Sequence, residues 1–231
     1  MTHETYDRSF DELRTGFTAA VSHELRTPLA RILVLLDSAE LPGADVNALI
    51  EQARAEVEQI NELIGDVLFL SELETGREVV GLGEAPVAPV VGDVVERLRE
   101  RAERAGVTVE AAVERGFELP LRPRMTRVVV ENLVQNAIRY AGEGATVRVE
   151  AFADGDWRVL RVADDGAGVA EQDLPRLFER FFRADRARAS RGTGLGLAIV
   201  KHVVTSGGGT VEAHGGPGRG LEIRCVFPLS A

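Results

Sequence analysis

Apolar residues near the N-terminus recur in steps of three and four along the chain. One stripe of such residues runs from about Ser9 to Ala39, and a second runs from Val46 to Leu70. This spacing predicts two amphipathic helices. The segment Leu41–Ala44 contains proline and glycine and breaks the pattern, while Asp45 is suited to cap the second helix. The sequence therefore predicts an antiparallel helical hairpin.

A hairpin of two helices buries only part of its two apolar stripes. A second copy of the chain would cover the remainder by completing a four-helix bundle, so we expect a homodimer. The helical period fades near Gly76, and the stretch from Val79 to Val87 is interrupted by glycine and proline. We therefore place the dimerisation hairpin in residues 1–76 and expect a second domain over residues 80–231.

Helical and strand-like patterns alternate through this second domain. The predicted helices are Pro89–Ala105, Pro123–Ala141 and Leu195–Thr205. The predicted strands are Val107–Val109, Phe117–Leu121, Thr146–Phe152, Trp157–Val162, Thr210–Ala213 and Leu221–Phe227. The third and fourth strands flank a short turn and form a predicted hairpin. The whole pattern favours the α+β class, with an α/β sandwich following the helical hairpin.

The composition excludes several classes of partner. With a formal net charge of -10 and a pI near 5.0, the chain lacks the excess of lysine and arginine on which phosphate-backbone binding depends, so we expect no nucleic-acid partner. Its single cysteine, Cys225, cannot form an intrachain disulfide. No apolar run approaches the roughly 20 residues that a membrane span needs, and the first residues are too polar for a signal peptide.

Two asparagines, Asn132 and Asn136, lie four positions apart and share one face of a predicted helix. Their carboxamide oxygens suit a Mg²⁺ ion that also binds phosphates and water. Ordinary exposed polar residues would give the same pattern, so the pair alone does not establish a metal site.

Two glycine-containing segments point more directly to a nucleotide. Asp164–Gly168 follows an apolar strand; its spaced glycines let the backbone approach a ligand, and its carboxylate can accept a hydrogen bond from an exocyclic amine such as that of adenine. An Asp-Gly turn is also a common way to end a strand. Gly192–Gly196 runs directly into an apolar helix, and the N–H groups at such a junction favour an anion.

Arginines are concentrated just before the second of these segments. Six positive charges face two negative ones, a local net charge of +4 in an acidic chain. Such a segment could close over a triphosphate, and a solvated loop is the alternative interpretation. The charged residues are Arg176, Arg180, Arg183, Arg186, Arg188 and Arg191 against Glu179 and Asp185.

In their order along the chain, five segments resemble the motifs of sensor histidine kinases of two-component systems. Residues 17–29 resemble the phosphoacceptor box, 132–140 the N box, 164–168 the first glycine box, 177–183 the phenylalanine box and 192–199 the second glycine box. Each motif alone is modest, whereas five in this order are highly specific and span nearly the whole chain. The resemblance implies a dimeric helical hairpin followed by an ATP-binding domain of the Bergerat or GHKL type.

The resemblance further implies that His23 receives the γ-phosphoryl group of ATP and passes it to an aspartate in the receiver domain of a response regulator. Glu24 would orient the imidazole or accept its proton. Thr27 would position the water that removes phosphate from the regulator, and Pro28 would kink the helix just past the nucleophile. It also implies a cytoplasmic chain, connected to a membrane only through a sensor segment absent from this sequence.

The same resemblance assigns the nucleotide site. Asn136 would be the principal Mg²⁺ ligand with Asn132 assisting, Asp164 would anchor adenine, and Arg183 would stabilise charge during phosphoryl transfer. The remaining nucleotide contacts would come from Tyr140, Gly166, Gly168, Gly192, Thr193, Gly194, Leu195 and Gly196.

Related ATPases of the gyrase and Hsp90 types carry a water-activating glutamate where this chain has Asn132, and the neighbouring Glu131 points about 100 degrees away around the helix. We therefore expect phosphate to pass to His23 and not to water. Arg122 departs from the family, in which aspartate is frequent at this position, and the segment between Arg183 and Gly192 is short. A plain ATPase and a dimeric scaffold that binds nucleotide or regulator without phosphoryl transfer are the alternative functions.

Overall fold

A computed structural model describes residues 3–76, 80, 83–184 and 192–229, with side chains from residue 18 onward. The described residues group into two compact units. The first unit contains the chain up to Phe69 together with Gly192 and Thr193, and the second unit begins at Leu70 and contains the remainder. Residues 77–79 of the predicted boundary lie outside the described residues, so the domain bounds 1–76 and 80–231 stay predictions.

Two long helices are predicted from the sequence, and the structure contains both. Helix α1 spans His3–Ala39 and helix α2 spans Val46–Glu74. Asp45 caps α2 as expected, because its Oδ1 accepts a hydrogen bond at 3.1 Å from the backbone N–H of Ala48. Helix α1 is continuous through Pro28, so the kink at this residue stays a prediction.

The two helices contact each other through a partly buried ion pair. Arg31 Nη1 of α1 lies 3.7 Å from Glu56 Oε1 of α2, and Glu56 is only 6% exposed. The two residues lie at similar distances from the turn that joins the helices. This cross-helix pair therefore fits the antiparallel hairpin.

Much of the apolar surface of the hairpin is exposed. In the part of α1 and α2 whose side chains are described, nine large apolar side chains are between 43% and 62% exposed: Leu29, Leu33, Val34, Leu36, Val46, Ile50, Val57, Ile64 and Leu68. Within the described part of the chain, no helix has the length and hydropathy needed to cross a membrane. An exposed apolar patch of this kind marks an interaction surface.

The second unit combines three helices with a mixed sheet. The helices are α3 (Ala88–Arg104), α4 (Pro123–Tyr140) and α5 (Gly196–Ser206). The strands are β1 (Ala85–Pro86), β2 (Thr108–Val113), β3 (Glu118–Leu119), β4 (Thr146–Asp154), β5 (Trp157–Asp164), β6 (Thr210–Gly215) and β7 (Leu221–Pro228). The main sheet has the order β2-β4-β5-β7-β6, with β2 parallel to β4 and the other pairs antiparallel. The predicted α+β class is confirmed.

The core lies where helices α4 and α5 pack against the main sheet. Strand β7 shows the alternation that a sheet covered on one face requires, because every second side chain, from Leu221 to Phe227, is buried. Cys225 is one of these core residues and is fully buried. Burial in apolar surroundings raises the pKa of its thiol to about 12.

Most predicted elements agree with the structure to within a few residues. Pro123 lies in the first turn of α4, and Asp154 pairs with Trp157 across the turn of the predicted β4–β5 hairpin. Strand β2 continues to Val113, beyond its predicted end, because it pairs with β4 along its whole length. Strand β3 lies within the predicted strand Phe117–Leu121, whereas its partner β1 and a 3-10 helix at Glu171–Arg176 are not predicted from the sequence.

Candidate active site

The candidate phosphoacceptor, His23, lies on α1 with 77% of its side chain exposed. Glu24 Oε1 is 3.9 Å from His23 Nδ1, which is within ion-pair range but too long for a direct hydrogen bond. A carboxylate on this side favours a proton on Nδ1, and the neutral ring then has its lone pair on Nε2. The attack of Nε2 on a phosphate stays a prediction.

Thr27 follows His23 by one helical turn and is also exposed. Both side chains therefore occupy the same side of α1. The predicted roles, phosphate acceptance by His23 and positioning of a water by Thr27, require this arrangement. Pro28, the next residue, is buried within the continuous helix. Because proline has no N–H, the backbone carbonyl of Glu24 lacks its usual helical donor.

The two asparagines of α4 have different environments. Asn132 donates its Nδ2 hydrogen to the carbonyl of Val128 at 2.8 Å, and a Cβ on Gly196 would lie 2.6 Å from Asn132 Oδ1. Asn132 therefore connects the N box to the start of α5. Asn136 is half-buried and makes no side-chain hydrogen bond to any described residue, so its carboxamide oxygen is the better placed of the two to bind a cation.

The donor set fits Mg²⁺ better than a metal held entirely by protein. Within the described residues, no group of three or more His, Cys, Asp or Glu side chains could hold a metal ion. Mg²⁺ commonly takes one or two protein oxygens and completes its shell with phosphate oxygens and water. A single free carboxamide at Asn136 is consistent with that pattern.

Asp164, the last residue of β5, carries the clearest electrostatic signature of the site. Burial, the largest effect, raises the pKa of its carboxyl group above the ordinary value. The backbone N–H of Gly166 donates to Asp164 Oδ1 at 3.0 Å, and it and the nearby N–H of Leu221 lower the pKa, whereas the negative charge of Asp165 adds to the increase. A carboxylate offers about four acceptor positions, so Asp164 retains acceptor capacity for a ligand amine.

The adjacent Asp165 has a structural role. Its Oδ1 accepts a hydrogen bond at 2.7 Å from the backbone N–H of Thr146, the first residue of β4. This contact fixes the end of β5 against the start of β4. Asp165 therefore holds the strand ends together, whereas the ligand role of Asp164 stays a prediction.

The first glycine box packs directly on the C-terminal end of α4. The backbone N–H of Ala167 donates to the carbonyl of Ala141 at 2.9 Å, and a Cβ on Gly166 would lie 2.1 Å from that same oxygen. Only glycine fits this approach. Tyr140, the half-buried last residue of α4, directly precedes Ala141 and so lies next to the residue that this loop contacts.

Part of the second glycine box meets the phenylalanine box. The backbone N–H of Phe181 donates to the carbonyl of Gly194 at 2.9 Å, and a Cβ on Gly194 would lie 2.9 Å from the backbone of Phe181. Among the described residues other than glycine, only Phe181 has a positive φ, of 60°. Leu195 is fully buried and Gly196 begins α5. Gly192 and Thr193 group with the first unit, so they are not placed with these residues.

Three of the six arginines in this cluster, Arg176, Arg180 and Arg183, lie within the described residues. Arg176 stacks over the Phe182 ring, 4.3 Å from its centroid, and pairs with Glu179 at 3.2 Å. Arg180 pairs with Glu74, a partner that the local charge count does not include. These two arginines therefore have protein partners.

Arg183 is half-buried at the end of the described segment. The contact between Arg183 and phosphate stays a prediction. The other arginines of the cluster, Arg186, Arg188 and Arg191, lie outside the described residues, as does Asp185.

Sequence reasoning missed two groups of the site. One is the carbonyl of Ala141, which receives the first glycine box. The other is the backbone N–H of Leu221, which lies near the Asp164 carboxylate at the start of the last strand. Backbone contacts between distant segments leave little trace in a single sequence. The concentration of glycine between β6 and β7 is the one available signal, and it indicates only a turn.

Two family models match the chain. Residues 13–76 match the His Kinase A phospho-acceptor domain, and residues 122–231 match the family described as histidine kinase-, DNA gyrase B-, and HSP90-like ATPase. The fold and the site therefore define an ATP-binding domain of this ATPase class joined to a phospho-acceptor hairpin.

Similar proteins define the family more narrowly. The chain is 35% identical over 221 residues to the sensor-like histidine kinase SenX3 of Mycolicibacterium smegmatis, an alignment that covers 93% of this chain and 57% of that protein. It is 30% identical to the solved structure of the mycobacterial sensor histidine kinase MprB, with a TM-score of 0.58, covering 63% of this chain and 97% of that chain. The chain belongs to the sensor histidine kinases. It spans about half the length of the curated relatives it matches.

A third comparison covers the whole chain. The histidine kinase ThkA, solved in complex with the response regulator protein TrrA, gives a TM-score of 0.72 at 18% identity and covers 100% of this chain and 67% of that chain. At this level of identity the likeness concerns the fold.

Proposed function

We propose that this chain is an ATP-dependent protein-histidine kinase that phosphorylates its own His23. The observation that carries the proposal is the exposed His23, whose Nδ1 faces Glu24 on a helix that matches the phospho-acceptor family. The ATPase-family domain in the same chain supplies the donor for this acceptor.

The proposed step is a direct transfer. The Nε2 lone pair attacks the γ-phosphorus of ATP, an N–P bond forms, and the bond between the γ-phosphorus and the bridging oxygen breaks, so that ADP leaves. The ring becomes cationic as the bond forms. Glu24, facing Nδ1–H, stabilises this positive charge and keeps the proton on Nδ1.

The nucleotide contacts follow from the environments of the second unit. Asp164 accepts a hydrogen bond from the exocyclic amine of adenine, while Gly166 and Gly168 let the backbone lie close to the base. Asn136 would hold Mg²⁺, assisted by Asn132, and Mg²⁺ would neutralise charge on the phosphates. Arg183 and the second glycine box would contact the phosphates.

Transfer to water is disfavoured by the residues next to Asn136. Asn132 has no proton-accepting side chain of useful basicity, and its amide is already bonded to a backbone carbonyl. Glu131, the nearest carboxylate in sequence, lies 3.7 Å from Arg97 and accepts a hydrogen bond from Gln135. A carboxylate held in this way is poorly suited to activate water, which favours the kinase over a plain ATPase.

We propose a homodimer and a response-regulator partner on separate grounds. The exposed apolar face of the hairpin offers the surface that a second copy would cover in a four-helix bundle. ThkA, a protein of the same fold, has been solved with a response regulator. The receiver-domain aspartate would take the phosphoryl group from His23, Thr27 would assist its later hydrolysis, and the reaction would take place in the cytoplasm.

Incubation of the purified chain with Mg²⁺ and γ-labelled ATP tests the proposal. We expect an acid-labile, base-stable phosphoryl group on the wild-type chain and none on His23→Gln. His214→Gln is a matched control, because His214 is an exposed histidine beside Glu212 on β6 and should not affect labelling. A wild-type chain that binds ATP without becoming labelled would instead support the scaffold function.

A further inference from the structure

The turn between β6 and β7 is bonded to the loop that carries the candidate adenine anchor. We call the segment Gly216–Leu221 the glycine clasp. The backbone N–H of Gly218 donates to the carbonyl of Ala167 at 2.8 Å, and that of Gly220 donates to the carbonyl of Gly166 at 3.1 Å. Two N–H groups of the clasp are therefore paired with the backbone of the first glycine box.

The clasp also reaches Asp164 itself. The backbone N–H of Leu221 lies near the Asp164 carboxylate and lowers the pKa of that group. The approach is close, because a Cβ on Gly220 would lie 1.8 Å from the backbone oxygen of Asp164, and a Cβ on Gly168 would lie 2.0 Å from the oxygen of Gly216. Gly220 has a φ of +70° and Gly168 a φ of +66°, so glycine is required at both positions by conformation as well as by space.

The tip of the clasp is held by a side chain. The guanidinium of Arg219 donates to Glu171 Oε1 at 2.6 Å, while the backbone N–H of Arg219 donates to the carbonyl of Gly216 at 2.9 Å and closes the turn. Glu171 begins the 3-10 helix that follows the first glycine box. The clasp is thus attached on both sides of the loop that it contacts.

We propose that the glycine clasp is a positioning element that fixes the Asp164 carboxylate for the exocyclic amine of adenine and so determines the preference of the site for adenine. A turn that served only to connect β6 and β7 would need no contact with Asp164. The clasp instead hydrogen-bonds the backbone of the first glycine box and packs against the backbone of Asp164 at Gly220. This inference rests on the proposed binding of ATP.

The test compares two nucleotides that differ at one group. ADP and inosine diphosphate, which has an oxygen in place of the exocyclic amine, are titrated into the full chain by calorimetry. The wild type should prefer ADP by at least about tenfold, because an oxygen facing a carboxylate loses the hydrogen bond and adds repulsion. In Gly220→Ala, whose new Cβ displaces Asp164, we expect the preference to fall below about threefold.

Gly116→Ala is the matched control. Gly116 has a φ of +74°, close to that of Gly220, but a Cβ there has no atom within 4 Å. The backbone cost is thus similar and the contact with the site is absent, so the preference for ADP should be retained. Equal weakening of both nucleotides in Gly220→Ala, with the preference unchanged, would show a purely structural turn and overturn the proposal.

If Gly220→Ala does not fold, Arg219→Ala tests whether the clasp positions Asp164. Arg219 and Glu171 are 66% and 71% exposed in their side chains, so the variant removes the tie at the tip without disturbing the core. We expect a two- to fivefold loss of the preference, roughly the effect of an exposed ion pair, and an unchanged preference would refute the positioning role. A wild type that binds ADP and inosine diphosphate equally would contradict the proposed role of Asp164 itself. This outcome differs from a failure of the clasp proposal alone, in which the wild type prefers ADP and the variants keep that preference.

Discussion

Replacing Asp164 with asparagine should weaken nucleotide binding while increasing the stability of the fold. The substitution keeps the shape of the side chain and removes its charge. Burial is the largest effect on Asp164 and raises the pKa of its carboxyl group, because it penalises the ionised form. An amide is neutral at every pH and avoids the cost of burying the ionised group.

The two effects have opposite signs and different sizes. A hydrogen bond to a charged group contributes about 1.5–3 kcal/mol, so loss of the carboxylate should raise the Kd for ADP roughly 10- to 150-fold. The amide has one acceptor oxygen, for which the N–H groups of Gly166 and Leu221 already compete, and its remaining NH₂ group would face the amine of adenine.

The gain in stability depends on pH in a defined direction. Because the folded pKa of Asp164 lies above its unfolded value, the wild type loses stability as pH rises from the ordinary value of 3.8 through the raised folded pKa. The variant has no such loss. Its advantage in the free energy of unfolding should therefore grow over this interval and become constant at higher pH.

Urea unfolding of both chains at several pH values, together with calorimetric titration of ADP, measures the two quantities separately. Glu118→Gln on β3 is a suitable comparison, because it removes a carboxylate from the same unit outside the site. A variant that loses stability and affinity together would refute the reasoning, since it would indicate that the ionised carboxylate holds the loop together.

Two other variants test separate parts of the chain. Arg122→Asp should stabilise the fold by about 1–2 kcal/mol and raise its Tm by roughly 2–6 °C, because Arg122 is the N-cap of α4 and makes no side-chain cap bond; scanning calorimetry showing no increase would contradict this. Thr27→Ala should retain autophosphorylation but slow dephosphorylation of a phosphorylated regulator, and equal loss of both activities in labelled-phosphate assays would argue against separate roles.

Local chemistry explains the elements that could be predicted from the sequence. Asp45 caps α2, Pro123 lies in the first turn of α4, and the alternation around Gly155 produces the β4–β5 hairpin. Each signal acts within a few residues, so it is visible in a single sequence. The motif resemblance supplied the order of the site residues, but their individual roles stay predictions.

Long-range contacts explain what could not be predicted. Strand β1 consists of Ala85 and Pro86 and has no period of its own, so it exists only because β3 pairs with it. The engagement of Arg180 by Glu74 joins residues far apart in the chain and is invisible in a local count of charge. The same holds for Gly220, whose lack of a side chain matters because of Asp164 and not because of its neighbours.

The buried thiol of Cys225 makes the chain a natural background for site-specific labelling. It is the only cysteine in the sequence, it lies in the core of β7, and its pKa of about 12 leaves almost no thiolate at neutral pH. A maleimide reagent should therefore not react with the native chain. A cysteine introduced at an exposed position, such as Ser206 at the end of α5, would be the sole reactive site and could carry a spectroscopic probe without first replacing the native residue.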